Sequence, residues 1–353
     1  MLKNKFLFKL FLSFSLVVLL TFVLGIFVVL SLDPVNNNDG TIYFKVENGD
    51  TLTDIVDKLD DNNLISNVFI SNMYAKLVDL EVKTGLYQVD SKMSTTELLN
   101  YLSDDANAIT DEVSVTLIEG DWLKDIALKI SNKTNVNFEE LIDYWNNEEE
   151  IRLLMDDYPF LTEDIFNDDL RFILEGYLHP NTYNFFVDTT PNEITRKLLD
   201  GTLDLYDKYK GAISNSGYSI HEIFTLSSII QAEAAKVTDM ELISGVLYNR
   251  LNRDMLLQVS VSICYAVDMG YDEDWTVCEL NSDVESPFNT YIHSGLTPGP
   301  IKSFGESALN AALNPIDSEY LYFVADVYGT GEVFYSETLE QHNNYVEEFG
   351  LNF

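Results

Sequence analysis

A glutamate on an apolar helical stripe is the residue of this sequence best suited to acid–base chemistry. The spacing of apolar residues predicts a helix over residues 220–236. Its inward stripe consists of Ile223, Leu226, Ile229 and Ile230. Glu233 lies on this stripe among small residues, where poor access to water disfavours the charged form and raises the pKa, as a general acid requires. Alternatively, Glu233 marks the polar end of the helix and pairs with Lys236 or Arg250.

Two further stretches carry residues suited to sugar recognition. Residues 174–185 read LEGYLHPNTYNF, in which Glu175, Tyr177, Asn181 and Tyr183 are types that hydrogen-bond to sugars or stack on them. Residues 295–301 read GLTPGPI and cannot form a regular helix or strand, because two prolines lack backbone donors. Such a rigid loop is either a wall of a binding cleft or a structural crossover.

Composition excludes several classes of function. The 353 residues, 46% of them hydrophobic, predict about two domains with real cores. A formal net charge of −37 repels phosphate backbones, so no nucleic-acid partner is expected. The four histidines and two cysteines lack zinc-ligand spacing, which predicts no metal and no cofactor. Cys264 and Cys278 either form one disulfide or stay as two thiols.

The N-terminal segment predicts a membrane anchor. Residues 10–32 contain no charged residue, and this uncharged stretch is long enough to cross a bilayer. Lys3, Lys5 and Lys9 precede this span, so residues 1–9 are expected in the cytoplasm and the rest of the chain outside the cell. A cleavable signal peptide is the alternative, although no alanine of an A-x-A-like cleavage site occurs before Ala75.

A strand–turn–helix unit occurs twice after the linker at residues 33–40. Residues 46–59 (VENGDTLTDIVDKL) and 117–130 (LIEGDWLKDIALKI) are identical at six of fourteen positions, including the Gly-Asp turn. Each unit is similar to the LysM module, which binds sugar chains in cell walls. A generic strand–turn–helix with a helix-capping acid is the alternative interpretation.

Several motifs in one order resemble the YceG-like (MltG) family, the membrane-anchored endolytic murein transglycosylases. The motifs are KTGLY, LEGYLHPNTY, NRL, SPFNTY, GLTPGPI and ALNP…YLYFVAD. The resemblance implies an α+β fold: a single transmembrane helix (10–32), a LysM-like subdomain (41–106) and a mixed catalytic domain (113–353) whose second LysM-like unit lies around 113–131. It also implies a lyase that cuts nascent peptidoglycan strands between N-acetylmuramic acid and N-acetylglucosamine, leaves 1,6-anhydro ends and limits strand length. Cell-wall synthases are the implied protein partners.

The resemblance assigns roles to individual residues. The family's catalytic glutamate falls on Glu233, since the helix reads SIIQAE here and the other acidic position is Gln231. The implied substrate-binding residues are Glu175, Tyr183, Asn249, Arg250, Gln258, Asn289, Thr290 and Tyr291. Arg250 could equally form a structural ion pair, and His342 and Asn343 are interpreted as structural.

One departure keeps other functions open. Family members commonly carry a segment like SDPT after the LQ pair, whereas Ser260 stands here where an aspartate is expected. If that aspartate binds substrate or tunes the acid, the chain could be a non-catalytic wall-binding scaffold. A hydrolase with two carboxylates is a third hypothesis, and Glu175 is its candidate second acid.

Overall fold

The computed structural model describes all residues except 1, 36–39, 48, 79, 110–111, 270–277, 279–280, 327 and 352–353. For residues 2–13 and 105 only the backbone is described. The chain divides into two compact units, Met1–Asp111 and Glu112–Phe353. Helices and antiparallel strands occur in both units, which confirms the predicted mixed α+β class.

The first unit begins with the apolar helix α1 (Leu2–Leu32). Within α1, Phe14–Leu32 has a mean hydropathy of 2.8, and among the described residues it is the one segment long and apolar enough to span a membrane. Its large apolar side chains are mostly exposed to the surroundings. Part of the predicted linker at 33–40 lies outside the described residues.

The rest of the first unit is a β-α-α-β arrangement with a small addition. Its elements are β1 (Thr41–Val46), α2 (Leu52–Asp61), α3 (Val68–Leu77), β2 (Gly85–Asp90), α4 (Thr95–Leu102), a 3₁₀ turn (Asp105–Asn107) and β3 (Ala108–Ile109). The antiparallel sheet has the order β1-β2-β3. Alternation along β1 buries Phe44 and Val46 against the helices, as the period-2 pattern predicts.

The second unit is larger. Its described elements, in chain order, are β4 (Glu112–Thr116), α5 (Leu123–Ser131), α6 (Phe138–Trp145), α7 (Glu148–Arg152), a 3₁₀ turn (Glu163–Phe166), β5 (Thr182–Phe186), α8 (Pro191–Asn215), α9 (Ile220–Glu233), α10 (Val237–Leu251), α11 (Ser260–Ala266), α12 (Glu306–Leu313), β6 (Tyr322–Ala325), β7 (Val333–Ser336) and α13 (Leu339–Glu348). The strands pair as two antiparallel ladders, β4-β5 and β6-β7. One large core, which includes Trp145, Phe160 and Phe224, fills the unit.

The repeated sequence unit has the same local geometry in both copies. Gly49 and Gly120 adopt positive φ angles of 92° and 91°, which favour glycine in this turn. Asp50 accepts a hydrogen bond from the backbone N–H of residue 47 and pairs with Lys58 at 2.8 Å. Asp121 accepts the equivalent bond from residue 118 and pairs with Lys129 at 2.5 Å. The repeat is therefore structural as well as sequential, while its likeness to LysM stays a prediction.

Helix α9 is the central element of the second unit. It packs against α8, α10, α11 and α12, so nearly every side chain between His221 and Ile230 is buried. Ser219 caps its N-terminus in a capping box with Glu222. The predicted end at residue 236 is wrong: Ala234 adopts an extended conformation (φ −88°, ψ 113°), so the helix ends at Glu233.

Candidate functional site

Glu233 occupies the last position of α9, at a point where the buried helix reaches a cavity. Leu226 and Ile230 on the same stripe are fully buried, whereas Glu233 is half-buried. The chain turns away at Ala234, and α10 begins at Val237. The carboxylate consequently lines a cavity of about 420 Å³ within the second unit, a volume in the usual range of small-molecule sites.

Six parts of the second unit build the cavity. They are the end of α9, the end of α10, the segment that leads into α11, the segment around Tyr291, the β6-β7 hairpin, and α13 with Leu351 after it. The lining residues are Glu233, Arg250, Leu257, Gln258, Val259, Ser260, Tyr291, Tyr322, Phe323, Val324, Ala325, Val333, Leu339, His342, Val346 and Leu351. Glu233 is the sole carboxylate among the described residues that line it.

Arg250 ties two walls of the cavity together. Its Nε donates to the backbone carbonyl of Leu321 at 2.6 Å, beside β6. Its Nη1 donates to the carbonyls of Leu256 at 3.0 Å and Leu257 at 2.8 Å. Burial lowers the pKa of the Arg250 guanidinium, while Tyr322, Tyr291 and Glu233 act in the opposite direction. Arg250 is therefore both a structural clamp and the cation whose field reaches Glu233.

Gln258 lies in the cavity wall with an unusual backbone conformation. Its φ of 52° is in the left-handed region, which costs a non-glycine residue about 1 kcal/mol or more. The conformation is held because its N–H donates to the carbonyl of Thr290 at 3.1 Å and its Oε1 accepts from Arg250 at 3.4 Å. Backbone strain of this kind concentrates at functional sites.

Tyr322 and His342 complete a layered arrangement around Arg250. The guanidinium lies 4.9 Å from the centroid of the Tyr322 ring, and that ring stacks on His342 at 5.4 Å. Burial, and then the charge of Arg250, lower the pKa of His342, so the imidazole is neutral at neutral pH. The sequence interpretation of His342 as merely structural missed its place in the cavity. Tyr322 belongs to the YLYFVAD motif, which is the feature of the sequence that points to this wall of the cavity.

Three of the predicted substrate-binding residues lie behind the cavity wall and hold it in place. Asn249 donates to the carbonyls of Ser318 at 2.6 Å and Tyr320 at 2.9 Å. Asn289 is buried and donates to the carbonyls of residues 282 and 284, while its Oδ1 accepts from the N–H of Tyr291. Thr290 is also buried, and its hydroxyl accepts from the N–H of residue 259 at 3.0 Å. The contacts of Asn289 and Thr290 position Tyr291 and Gln258, which do line the cavity, while Asn249 holds the segment that leads into β6.

Glu175 and Tyr183 lie in the core, not among the described residues of the cavity lining. Glu175 accepts hydrogen bonds from the N–H of Leu123 at 2.9 Å and from the hydroxyl of Tyr265 at 3.3 Å. Burial raises the pKa of Glu175 to about 8, so this acid is neutral at pH 7. Tyr183 is buried on β5 and donates to the carbonyl of His179 at 2.8 Å. Their burial and hydrogen bonds give both residues a role in the core of the second unit, and their predicted contact with substrate stays a prediction.

The GLTPGPI loop is irregular, as predicted, and it packs against α9 without joining the described lining of the cavity. The carbonyl of Pro298 lies 2.8 Å from Nε2 of His221, and the N–H of Ile301 donates to the hydroxyl of Ser228 at 3.0 Å. The loop holds the helix that presents Glu233 and contributes nothing to the described lining.

Two features bear on metals and on thiols. Among the residues that the structure describes, no group of three or more His, Cys, Asp or Glu could hold a metal ion. Cys264 and Cys278 form a disulfide. Cys264 belongs to α11, the helix whose first residue, Ser260, lines the cavity. The disulfide thus closes a loop that begins at Cys264, four residues after a residue that lines the cavity.

Comparison with known proteins gives consistent matches along most of the chain. The profile of the YceG-like family matches residues 44–348. The chain is 31% identical over 322 residues to the endolytic murein transglycosylase of Bacillus subtilis (strain 168), covering 90% of this chain and 88% of that protein. It is also 31% identical over 335 residues to the endolytic murein transglycosylase of Streptococcus pneumoniae serotype 2 (strain D39 / NCTC 7466), of which it spans 60%. A crystal structure of a yceG-like protein from Listeria monocytogenes has a TM-score of 0.62 at 31% identity, covering 87% of this chain and 100% of the other.

Proposed function

This chain belongs to the YceG-like family, and we propose that it is an endolytic murein transglycosylase with Glu233 as its catalytic acid. The observation that carries the proposal is the place of Glu233 as the sole carboxylate among the described lining residues of the cavity. A glycosidase that uses water normally needs a second carboxylate across the scissile bond. A transglycosylase needs one acid, because the substrate supplies its own nucleophile.

In the proposed reaction, Glu233 first acts as an acid and then as a base. It donates its proton to the oxygen that joins N-acetylmuramic acid to N-acetylglucosamine, and the bond from that oxygen to C1 of the muramic acid breaks. The carboxylate then takes the proton of the C6 hydroxyl of the same muramic acid, whose oxygen bonds to C1. The products are a free N-acetylglucosamine end and a 1,6-anhydro end. No water is consumed, and Glu233 ends the cycle protonated.

Some groups around Glu233 favour its protonated form, and another favours its carboxylate form. The C-terminal end of a helix carries unpaired carbonyls, which disfavour a negative charge there. Half-burial against fully buried neighbours acts in the same direction. The Arg250 guanidinium favours the carboxylate, and it is the group that stabilises Glu233 once the proton has left. An acid that must also serve as a base needs both influences.

The remaining polar groups of the cavity suit an amino sugar. We propose that the Gln258 amide and the Tyr291 hydroxyl bind N-acetyl and hydroxyl groups, with Tyr322 offering an aromatic face to a sugar ring. Neutral His342 can donate or accept one further hydrogen bond. Asn249, Asn289 and Thr290 support these groups from behind.

We also propose that α1 anchors the chain with residues 1–9 inside and both units outside the cell. The Cys264–Cys278 disulfide supports this orientation, since disulfides persist in oxidising compartments. The β-α-α-β arrangement of the first unit supports a LysM-like, glycan-binding role for residues 41–106. An enzyme held in this way cuts strands close to the synthases that make them.

The test is the chemistry of the cut ends. Purified full-length chain in detergent is incubated with peptidoglycan strands, and the products are analysed by mass spectrometry. Anhydro-muramyl ends are expected from the wild type and, because general acid catalysis contributes about 10²–10⁴-fold, hardly any from Glu233→Gln. Glu319→Gln, at an exposed acid outside the lining, is the control and retains activity.

Each other outcome contradicts a specific part of the proposal. Reducing ends would identify a hydrolase. An inactive wild type that still binds strands would identify a scaffold, for which the Ser260 departure is the reason. Anhydro ends from Glu233→Gln at the wild-type rate would remove Glu233 as the acid.

A further inference from the structure

Helix α3 carries an apolar stripe that the fold does not use. Phe69, Met73 and Leu77 are spaced four residues apart, so they lie on one face of the helix. They are 72%, 51% and 83% exposed. Ser71 and Ala75, on the opposite face, are fully buried, and Ala75 belongs to the core of the first unit. Stripes of large exposed apolar residues of this kind mark interaction sites.

The charge around the stripe identifies the kind of partner. Residues 62–78 contain no Asp or Glu, although the chain has 58 of them among 353 residues. The surface of this chain is otherwise acidic, which repels anionic partners. Within the acid-free stretch, Tyr74 and Lys76 are residue types enriched where proteins meet the headgroups of a bilayer. The stretch therefore has the composition of a segment that lies against lipid.

The position of α3 supports the same partner. The hydroxyl of Ser66 donates to the carbonyl of Ser31 at 2.8 Å, one residue before the end of α1. Helix α3 starts two residues after Ser66 and packs against α1. If α1 spans the bilayer, α3 consequently starts at the level where the span ends.

We propose that α3 lies on the outer leaflet of the membrane, with Phe69, Met73 and Leu77 inserted at the boundary between headgroups and acyl chains. The inference rests on the proposed anchoring of α1 and adds a second point of contact. One helix crossing a bilayer leaves a domain free to tilt and rotate about it. A second helix in the interface fixes the orientation of the first unit relative to the membrane.

The test measures whether lipid surrounds Met73. Full-length Met73→Cys is reconstituted into phosphatidylglycerol–phosphatidylethanolamine vesicles and labelled with a nitroxide. Cys264 and Cys278 are paired in the disulfide and do not react. Power-saturation electron paramagnetic resonance then compares collisions with oxygen, which concentrates in lipid, and with a water-soluble nickel chelate. Asp57→Cys, at an exposed position of α2, is the aqueous control, and Leu77→Cys repeats the measurement at the far end of α3.

The expected result is an oxygen-to-nickel collision ratio several-fold higher at Met73 and Leu77 than at Asp57. Equal ratios at all three positions would overturn the inference, because the stripe would then lie in water. Shielding from both reagents would also overturn it, in favour of a protein partner or a second copy of the chain. Flotation of the vesicles and cleavage of strands by the same sample separate these failures from a failure of the anchor or of the enzyme.

Discussion

Replacing Arg250 by lysine tests whether this residue holds the site together. Arg250 is 7% exposed, and its guanidinium donates to three backbone carbonyls, one beside β6 and two in the segment before Gln258. A lysine keeps the charge, but its single ammonium group cannot reach both walls. Arg250→Lys therefore separates the effect of the charge from the effect of the clamp.

The expected loss of stability follows from the hydrogen bonds that the Arg250 guanidinium makes. A hydrogen bond to a charged group contributes about 1.5–3 kcal/mol, and lysine would lose about two of the three, so we expect the free energy of unfolding to fall by about 3–6 kcal/mol. For a unit of this size each kcal/mol lowers the melting temperature by about 2–4 °C, which gives a decrease of roughly 6–24 °C. Strand cleavage should fall too, because Gln258 loses its support.

Arg253→Lys is the matched control on the same stretch of chain. Arg253 pairs with Glu319 at 2.8 Å, but the two side chains are 44% and 75% exposed. A surface pair contributes about 0–1 kcal/mol, so this variant should unfold close to the wild type. Thermal and urea unfolding followed by circular dichroism measure both variants. A loss below about 1 kcal/mol for Arg250→Lys, or equal losses in the two variants, would refute the clamp.

Three further predictions concern charge, burial and the disulfide. Ser260→Asp places a second carboxylate in the cavity, at the start of α11. The like charge should keep Glu233 protonated to higher pH and move the alkaline limb of the pH–rate profile to higher pH, whereas Ser260→Asn should not move it. Between pH 4.5 and about 8 the folded protein keeps the proton of Glu175 that the unfolded chain loses, so stability falls as pH rises, and Glu175→Gln should flatten that slope in urea titrations at pH 5 and 8. Replacing Cys264 and Cys278 by serine should lower the free energy of unfolding by about 3 kcal/mol, since the bond closes a loop of sequence separation 14, and a reductant should change the wild type alone.

The sequence predicts those features that depend on local patterns. The period of apolar residues places α9 and puts Glu233 on its buried stripe, and alternation gives β1. The two prolines of GLTPGPI exclude regular structure from that loop. The Gly-Asp turn is correctly predicted in both copies of the repeat, because each copy satisfies the same short-range hydrogen bonds.

Features that depend on distant partners could not be predicted. Asn249 is a plausible sugar ligand in sequence, but carbonyls 69 and 71 residues away occupy its amide. Glu175 lies in the sequence beside residue types that bind sugars. Its hydrogen-bond partner Tyr265, however, lies 90 residues away, and the pair is buried. His342 enters the cavity because α13 packs on the β6-β7 hairpin, which no local pattern specifies.

The wall formed by α13 has a consequence for when the protein becomes active. Leu339, His342, Val346 and Leu351 enclose the cavity, yet a long stretch of chain separates them from Glu233. The cavity around Glu233 is complete only when α13 has packed on the β6-β7 hairpin. A chain in which α13 has not docked should therefore hold Glu233 in an open groove and cleave glycan strands poorly.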